Sequence, residues 1–226
     1  MQSTSAYQAP KILQFIAKLI SYIFHPLFIP TYIFLFLVYK FPFAFQISVS
    51  RDPVFELKLT LFSTFWMTAF FPAFAVFLLW RLKVIKSIYL RTQKERIIPF
   101  FVNMFFYWWM YYLSLNMGND KIALKQPEVL KFFYCGIFIS TVVGVIINNF
   151  IKISLHGLAA GAALAAVILF SLYYHTNINV YIVYGTLLTG CILTARLMVS
   201  NHTQQEIYSG LFVGIACQLI GYWWAM

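Results

Sequence analysis

Acidic residues are scarce in this 226-residue chain: six Asp and Glu stand against sixteen Lys and Arg, for a formal net charge of +10. Charges of either sign make up only 10% of residues, where about 25% is usual in soluble domains. So few charges cannot solvate a fold that is 62% hydrophobic, which excludes a soluble enzyme and equally a disordered chain. The three cysteines, Cys135, Cys191 and Cys217, lie far apart inside apolar runs, with no CxxC or metal-ligand spacing. A disulfide scaffold is therefore excluded, and the thiols read as small buried hydrophobes. No repeat of about 20–50 residues and no low-complexity linker interrupts the chain. No A-x-A cleavage site follows the first apolar stretch, so the first span itself is expected to direct insertion.

What the chain has instead is apolar length. It carries 25 Phe, 15 Tyr and 6 Trp, and its apolar windows reach the roughly 17–25 residues that a bilayer crossing needs. Seven windows qualify: 27–46, 57–80, 97–116, 129–150, 156–174, 178–197 and 207–225. The expected fold is an all-α polytopic transmembrane helix bundle of six to seven spans. An N-terminal segment, 1–26, precedes the transmembrane domain, 27–226. Its stretch 11–24 carries Lys11 and Lys18 and is too short to span, which suggests an interfacial amphipathic helix. One long helix over 11–40, kinked at Pro26, is the alternative and leaves the sidedness unchanged. The aromatic belts Tyr107–Tyr112 and Tyr222–Trp224 fit anchoring at the membrane–water interface. The run from Gly157 through Gly161 to Ala166 places small residues four apart, as close helix packing requires.

Charge is distributed unevenly across the two faces that seven spans define. Segments 1–26, 81–96, 151–155 and 198–206 share one face, with ten of the cations, Lys152 among them, and three of the four histidines. Only Glu95 and Glu206 oppose them there. The positive-inside rule points to the cytoplasm for this face. The basic residues are scattered between apolar runs, which argues against nucleic acid and for anionic lipid headgroups or phosphate groups. Membrane lipids and a phosphorylated lipid substrate are the expected partners; oligomeric state is not readable.

Three clusters on that face carry the candidate chemistry. The first is Arg91-Thr-Gln-Lys94-Glu95-Arg96-Ile-Ile-Pro99, where Arg91 and Glu95 would pair along one helical turn and Arg96 projects at the membrane entrance. Its bland alternative is a positive-inside signal with snorkelling side chains. The second is Ser154-Leu-His156-Gly157 at the start of a span. A helix N-terminus there offers unbonded N–H groups to a phosphate, and His156 stands where it can donate a proton. Ser154 as a plain N-cap is the alternative. The third runs from Arg196 to His202 and Glu206. His202 and Glu206 are four apart, so on a helix the carboxylate can accept Nδ1–H and leave Nε2 as nucleophile or base. Arg196 can clamp phosphate oxygens bidentately.

The third cluster resembles the S-R-x5-H-x3-D motif of the type-2 phosphatidic acid phosphatase superfamily, lipid phosphatases related in fold to vanadium haloperoxidases. Ala195 stands for the Ser and Glu206 for the Asp. That family's P-S-G-H is reduced to Ser154-Leu155-His156, with Ile153 for the Pro. Its K-x6-R-P is represented by Arg96, with Pro only at Pro99, and by Lys94 or Arg91 at shorter spacing. The resemblance covers 91–206 and implies an integral-membrane lipid phosphatase working without cofactor or metal, in a bacterial cytoplasmic membrane. The bacterial enzymes of that family often work on the outer side, against the positive-inside reading, and both sides stay open. It implies that His202 attacks phosphorus, that Glu206 orients it and that His156 protonates the leaving alkoxide. Arg196, Arg96, Lys94, Arg91 and Ser154 would hold the phosphoryl oxygens. His25 has no assigned role, and His175, on the opposite face, reads as structural.

Overall fold

The computed structural model describes residues 10–45, 53–90, 92–116, 127–200 and 202–226. Among these no strand occurs; the helices are α1 (Lys11–Ile23), α2 (Ile29–Lys40), α3 (Pro53–Phe65), α4 (Phe71–Arg81), α5 (Gln93–Asn116), α6 (Glu128–Asn148), α7 (Leu155–Tyr173), α8 (Asn179–Val199) and α9 (Gln204–Ala225). Among the described residues six stretches are long and apolar enough to cross a membrane: Lys11–Lys40, Leu57–Arg81, α6, α7, α8 and α9. The protein is an all-α, multi-pass integral membrane protein. The window at 97–116 falls in α5, whose 24 residues match a bilayer in length although its Tyr, Trp and Asn residues make it less apolar than the six.

Proline sets the break between α1 and α2. A residue before proline is pushed out of the helical region, and His25 is extended at φ −65°, ψ 137°. One 3₁₀ turn, Pro26–Phe28, then leads into α2. The Pro-kinked path over 11–40, the second of the two sequence readings, describes this passage. α1 buries Ala17 and Ser21 and has α8 as its main neighbour. Pro72 removes one N–H from the helical ladder. Directly upstream, Trp66–Phe70 widens to a π-helical turn in which Phe71 N–H reaches Trp66 O, joining α3 to α4 without a break.

The bundle is organised around α9, which packs on α7 and α6. Glycine makes these approaches possible. Gly157 and Gly161 of α7 face Gly210 and Gly214 of α9, and a Cβ added at any of the four would fall within 3.0 Å of backbone on the facing helix. The α7 stripe was expected from sequence; its partner stripe on α9 was not. Gly221 of α9 meets Gly136 of α6 in the same way. At the other end of α7, Phe34, Phe41, Phe132, Phe133 and Phe170 fill the core. The glycine seam therefore fixes the N-terminus of α7 against that of α9, and both belong to the charged face.

Candidate active site

Three helix N-termini meet at this face, each closed by a side chain. Ser154 caps α7, its hydroxyl accepting Gly157 N–H at 3.3 Å. Thr203 and Glu206 form a reciprocal capping box on α9. Thr92 and Glu95 form the same arrangement on α5, with Glu95 N–H donating to Thr92 Oγ1 and Thr92 N–H to Glu95 Oε2, both at 3.3 Å. Caps leave other terminal N–H groups and the positive end of each dipole pointing outward. Ser154 N–H also donates to Glu206 O at 3.0 Å, tying α7 directly to α9.

His202 sits just before the α9 cap rather than on the helix. Glu206 curls back from the first turn, and its Oε2 accepts His202 Nδ1–H at 2.7 Å and Thr203 N–H at 3.1 Å. The expected His202–Glu206 pair is formed, but through the capping box and not through a shared helical face. On the other side of the ring, His202 Nε2 lies 3.3 Å from Arg96 Nη2. A guanidinium only donates and a carboxylate only accepts. The two neighbours therefore assign one neutral tautomer: hydrogen on Nδ1, lone pair on Nε2. Burial of His202, assisted by Arg96 and Lys152, holds its pKa below the ordinary histidine range, against the opposing pull of Glu206.

Arg96 is only 6% exposed, so the snorkelling alternative does not describe it. Its Nε donates to Leu90 O at 2.9 Å and Nη1 to Ile153 O at 2.8 Å. Leu90 adopts a left-handed backbone with φ 48°, a conformation that costs a non-glycine residue about 1–2 kcal/mol. The Arg96 bond holds this carbonyl toward the site. Lys94, two residues earlier on α5, is exposed; that offset turns it about 200° away from Arg96. Arg91 lies outside the described residues.

His156 donates Nε2–H to Ser21 O at 3.0 Å, which leaves Nδ1 as its nitrogen for proton transfer. Its ring meets that of His25 edge-on, with centroids 5.6 Å apart. His25 Nδ1 in turn accepts Leu27 N–H at 3.4 Å. Arg196 lies close enough to His25, His156, Arg96 and Lys152 for its charge to act on each of them. Its Nε is buried with no hydrogen-bond partner among the described residues, and so is Ser21 Oγ. Leaving such a group unsatisfied costs about 1–3 kcal/mol.

Of the expected site residues, His202, Glu206, Arg96, Arg196, His156 and Ser154 therefore converge; Lys94 does not join them. Two residues join that the motifs did not single out. Lys152 has its ammonium pKa lowered by burial and by Arg96 and Arg196, with Glu206 opposing. Its signal in the sequence is its place two residues before the α7 cap. His25 comes in from the turn between α1 and α2, and only its position ahead of Pro26 on the charged face pointed to it. His175 follows the far end of α7, exposed and with φ 50°. Among the described residues no group of three or more His, Cys, Asp or Glu side chains is placed to hold a metal. No protein-family model, curated protein or solved structure matches the chain.

Proposed function

We propose that this protein is an integral-membrane phosphatase that hydrolyses a lipid phosphate or diphosphate monoester through a phosphohistidine, without a metal. The observation that carries this reading is the state of His202: Nδ1–H held by Glu206, and the Nε2 lone pair turned to the buried Arg96 guanidinium. The partial family resemblance at Arg196, His202 and Glu206 points the same way. Phosphoryl transfer demands chiefly positioning and charge stabilisation. Arg196, with its unpartnered Nε, and Arg96 and Lys152 supply cations for the equatorial oxygens.

In the first step the Nε2 lone pair of His202 attacks phosphorus as Arg96 Nη2 turns from the ring to a phosphoryl oxygen. The P–O bond to the lipid breaks, and its electron pair leaves on the lipid oxygen. His156 Nδ1, with Nε2–H kept by Ser21 O, relays to that oxygen the proton carried by the phosphate monoanion of the substrate. Glu206 stabilises the positive imidazole that results. In the second step His156 accepts a proton from water, whose oxygen bonds to phosphorus as the P–N bond breaks. Inorganic phosphate departs and His202 is regenerated.

The test is phosphate release from a panel of lipid monophosphates and polyprenyl diphosphates in chelator, comparing wild type with His202→Ala. Release that is inhibited by vanadate and abolished in a folded His202→Ala supports the reading. Equal release from the variant refutes it. One observation favours a second reading, an anion or lipid-headgroup binder without turnover: the contact from Arg96 covers the Nε2 lone pair. Saturable binding of these lipids with no release from any of them would establish that alternative.

A further inference from the structure

A cavity of about 220 Å³ lies between α2, α7 and α8, and none of its lining residues is charged. Its lining begins at Phe24, Ala160 and Ile192. These are the chain neighbour of His25, the position one turn past His156 and the position one turn before Arg196. From there it follows α7 to Val167 and α8 to Tyr181. At 1.5 Å per residue that is a slot about 10–16 Å long, close to half of the roughly 30 Å hydrocarbon core of a bilayer. Leu188 on its rim is 38% exposed, so the slot is open sideways to the hydrocarbon.

The slot is placed asymmetrically. It meets the cluster on the side of His25, His156 and Arg196, and no residue of α5 or α9, which carry Arg96 and Glu206, lines it. In an in-line displacement the leaving group departs on the side opposite the nucleophile. A chain lying in this slot puts its own oxygen beside His156 and its phosphorus toward His202. A second cavity, about 150 Å³ between α7 and α9, has no such relation; its nearest approach along α7 is Leu164, two turns past His156.

We infer that the α2–α7–α8 slot holds the single hydrocarbon chain of the lipid whose phosphate occupies the cluster, entering laterally from the bilayer. The identity of the headgroup rests on the phosphatase reading above; the slot itself does not. Gly185 lines the slot, and an added Cβ there meets only Leu164 Cδ1 at 3.5 Å, an ordinary contact. Gly185→Leu therefore fills the slot while raising helix propensity.

The probe is a dodecylphosphonate, whose C–P bond is not hydrolysed, with a diazirine at mid-chain. It is photolysed on the full-length protein and the labelled peptides are mapped. Labelling within 24–36 and 160–192, competed by plain dodecylphosphonate and reduced at least fivefold in Gly185→Leu, is expected. Labelling spread over the exposed helix faces and indifferent to that substitution would overturn the inference. In the kinetic arm, the KM for dodecyl phosphate relative to methyl phosphate rises about tenfold in Gly185→Leu; an unchanged ratio counts against the slot. Mapped labelling without any phosphate release keeps the slot and removes the phosphatase; normal release with diffuse labelling does the reverse.

Discussion

Gly210→Ala tests whether the glycine seam positions the site. The added Cβ would lie 2.6 Å from Ser154 O, against an ordinary contact of at least 3.4 Å. Both atoms belong to helix backbone or its cap, so α9 must move away from α7 by about 0.8 Å. That displacement carries the 3.0 Å bond from Ser154 N–H to Glu206 O past hydrogen-bond range. Overpacking of this kind costs about 1–3 kcal/mol, the lost bond about 1 kcal/mol, and the alanine returns up to about 1 kcal/mol of helix propensity. The net loss of about 1–3 kcal/mol lowers the melting temperature by roughly 3–10 °C at this chain length. It also shifts Glu206 and His202 relative to His156, and a misplacement near 1 Å costs on the order of 10²-fold in rate. Thermal unfolding in detergent and phosphate release are the two readouts. Gly190→Ala is the control, because nothing lies within 4 Å of its added Cβ; it should be neutral or slightly stabilising. A Gly210→Ala protein that melts and turns over like wild type, or a Gly190→Ala protein that falls as far, refutes the argument.

Five further outcomes are expected. Glu206→Gln replaces an acceptor by a group that can donate to Nδ1, which favours the wrong His202 tautomer; release should fall by about 10³–10⁴-fold while lipid binding persists, and a loss under tenfold would count against the assigned tautomer. Because burial and Arg96 hold His202 below its ordinary pKa, activity should survive acidification past about pH 6.5 before its acid limb appears, and Arg96→Gln should move whatever limb remains upward. The same shift makes the unfolded chain bind the proton first, so stability should decline as pH drops below about 6.5 and level off once folded His202 protonates; an acid limb at or above the ordinary histidine value contradicts both statements. Vanadate at a hundred times its Kd should stabilise wild type by about 2.7 kcal/mol and Arg196→Ala far less, read as a shift in melting temperature; equal shifts would remove Arg196 from the anion site. Tyr134→Phe deletes the buried 2.8 Å bond to Thr64 at a cost of about 0.5–1.5 kcal/mol and should leave release untouched, since Tyr134 is remote from the cluster.

The parts of this arrangement that were legible in the sequence are those written over short spans of chain. Arg196, His202 and Glu206 lie within eleven residues, and their pairing follows from chain geometry once a helix is allowed to start between them. Even there, spacing suggested a shared helical face, whereas Glu206 reaches back as the third residue of a capping box. The glycines of α7 announced a close crossing by their period. What spacing cannot contain is which distant backbone atoms a side chain will find. Arg96 and Lys94 look interchangeable in a basic run, yet only Arg96 faces inward, where Leu90 O and Ile153 O hold it. His25 gained its place because proline ended α1 there and Ser21 O bonded His156. Lys152 gained its place because the α7–α9 seam brought its turn beside Arg96. The seam is therefore the causal link between composition and chemistry: glycines that carry no reactive group decide whether the reactive groups meet. Substitutions in the seam and in the cluster should accordingly be non-additive, Gly210→Ala costing little further activity once Glu206→Gln has released His202.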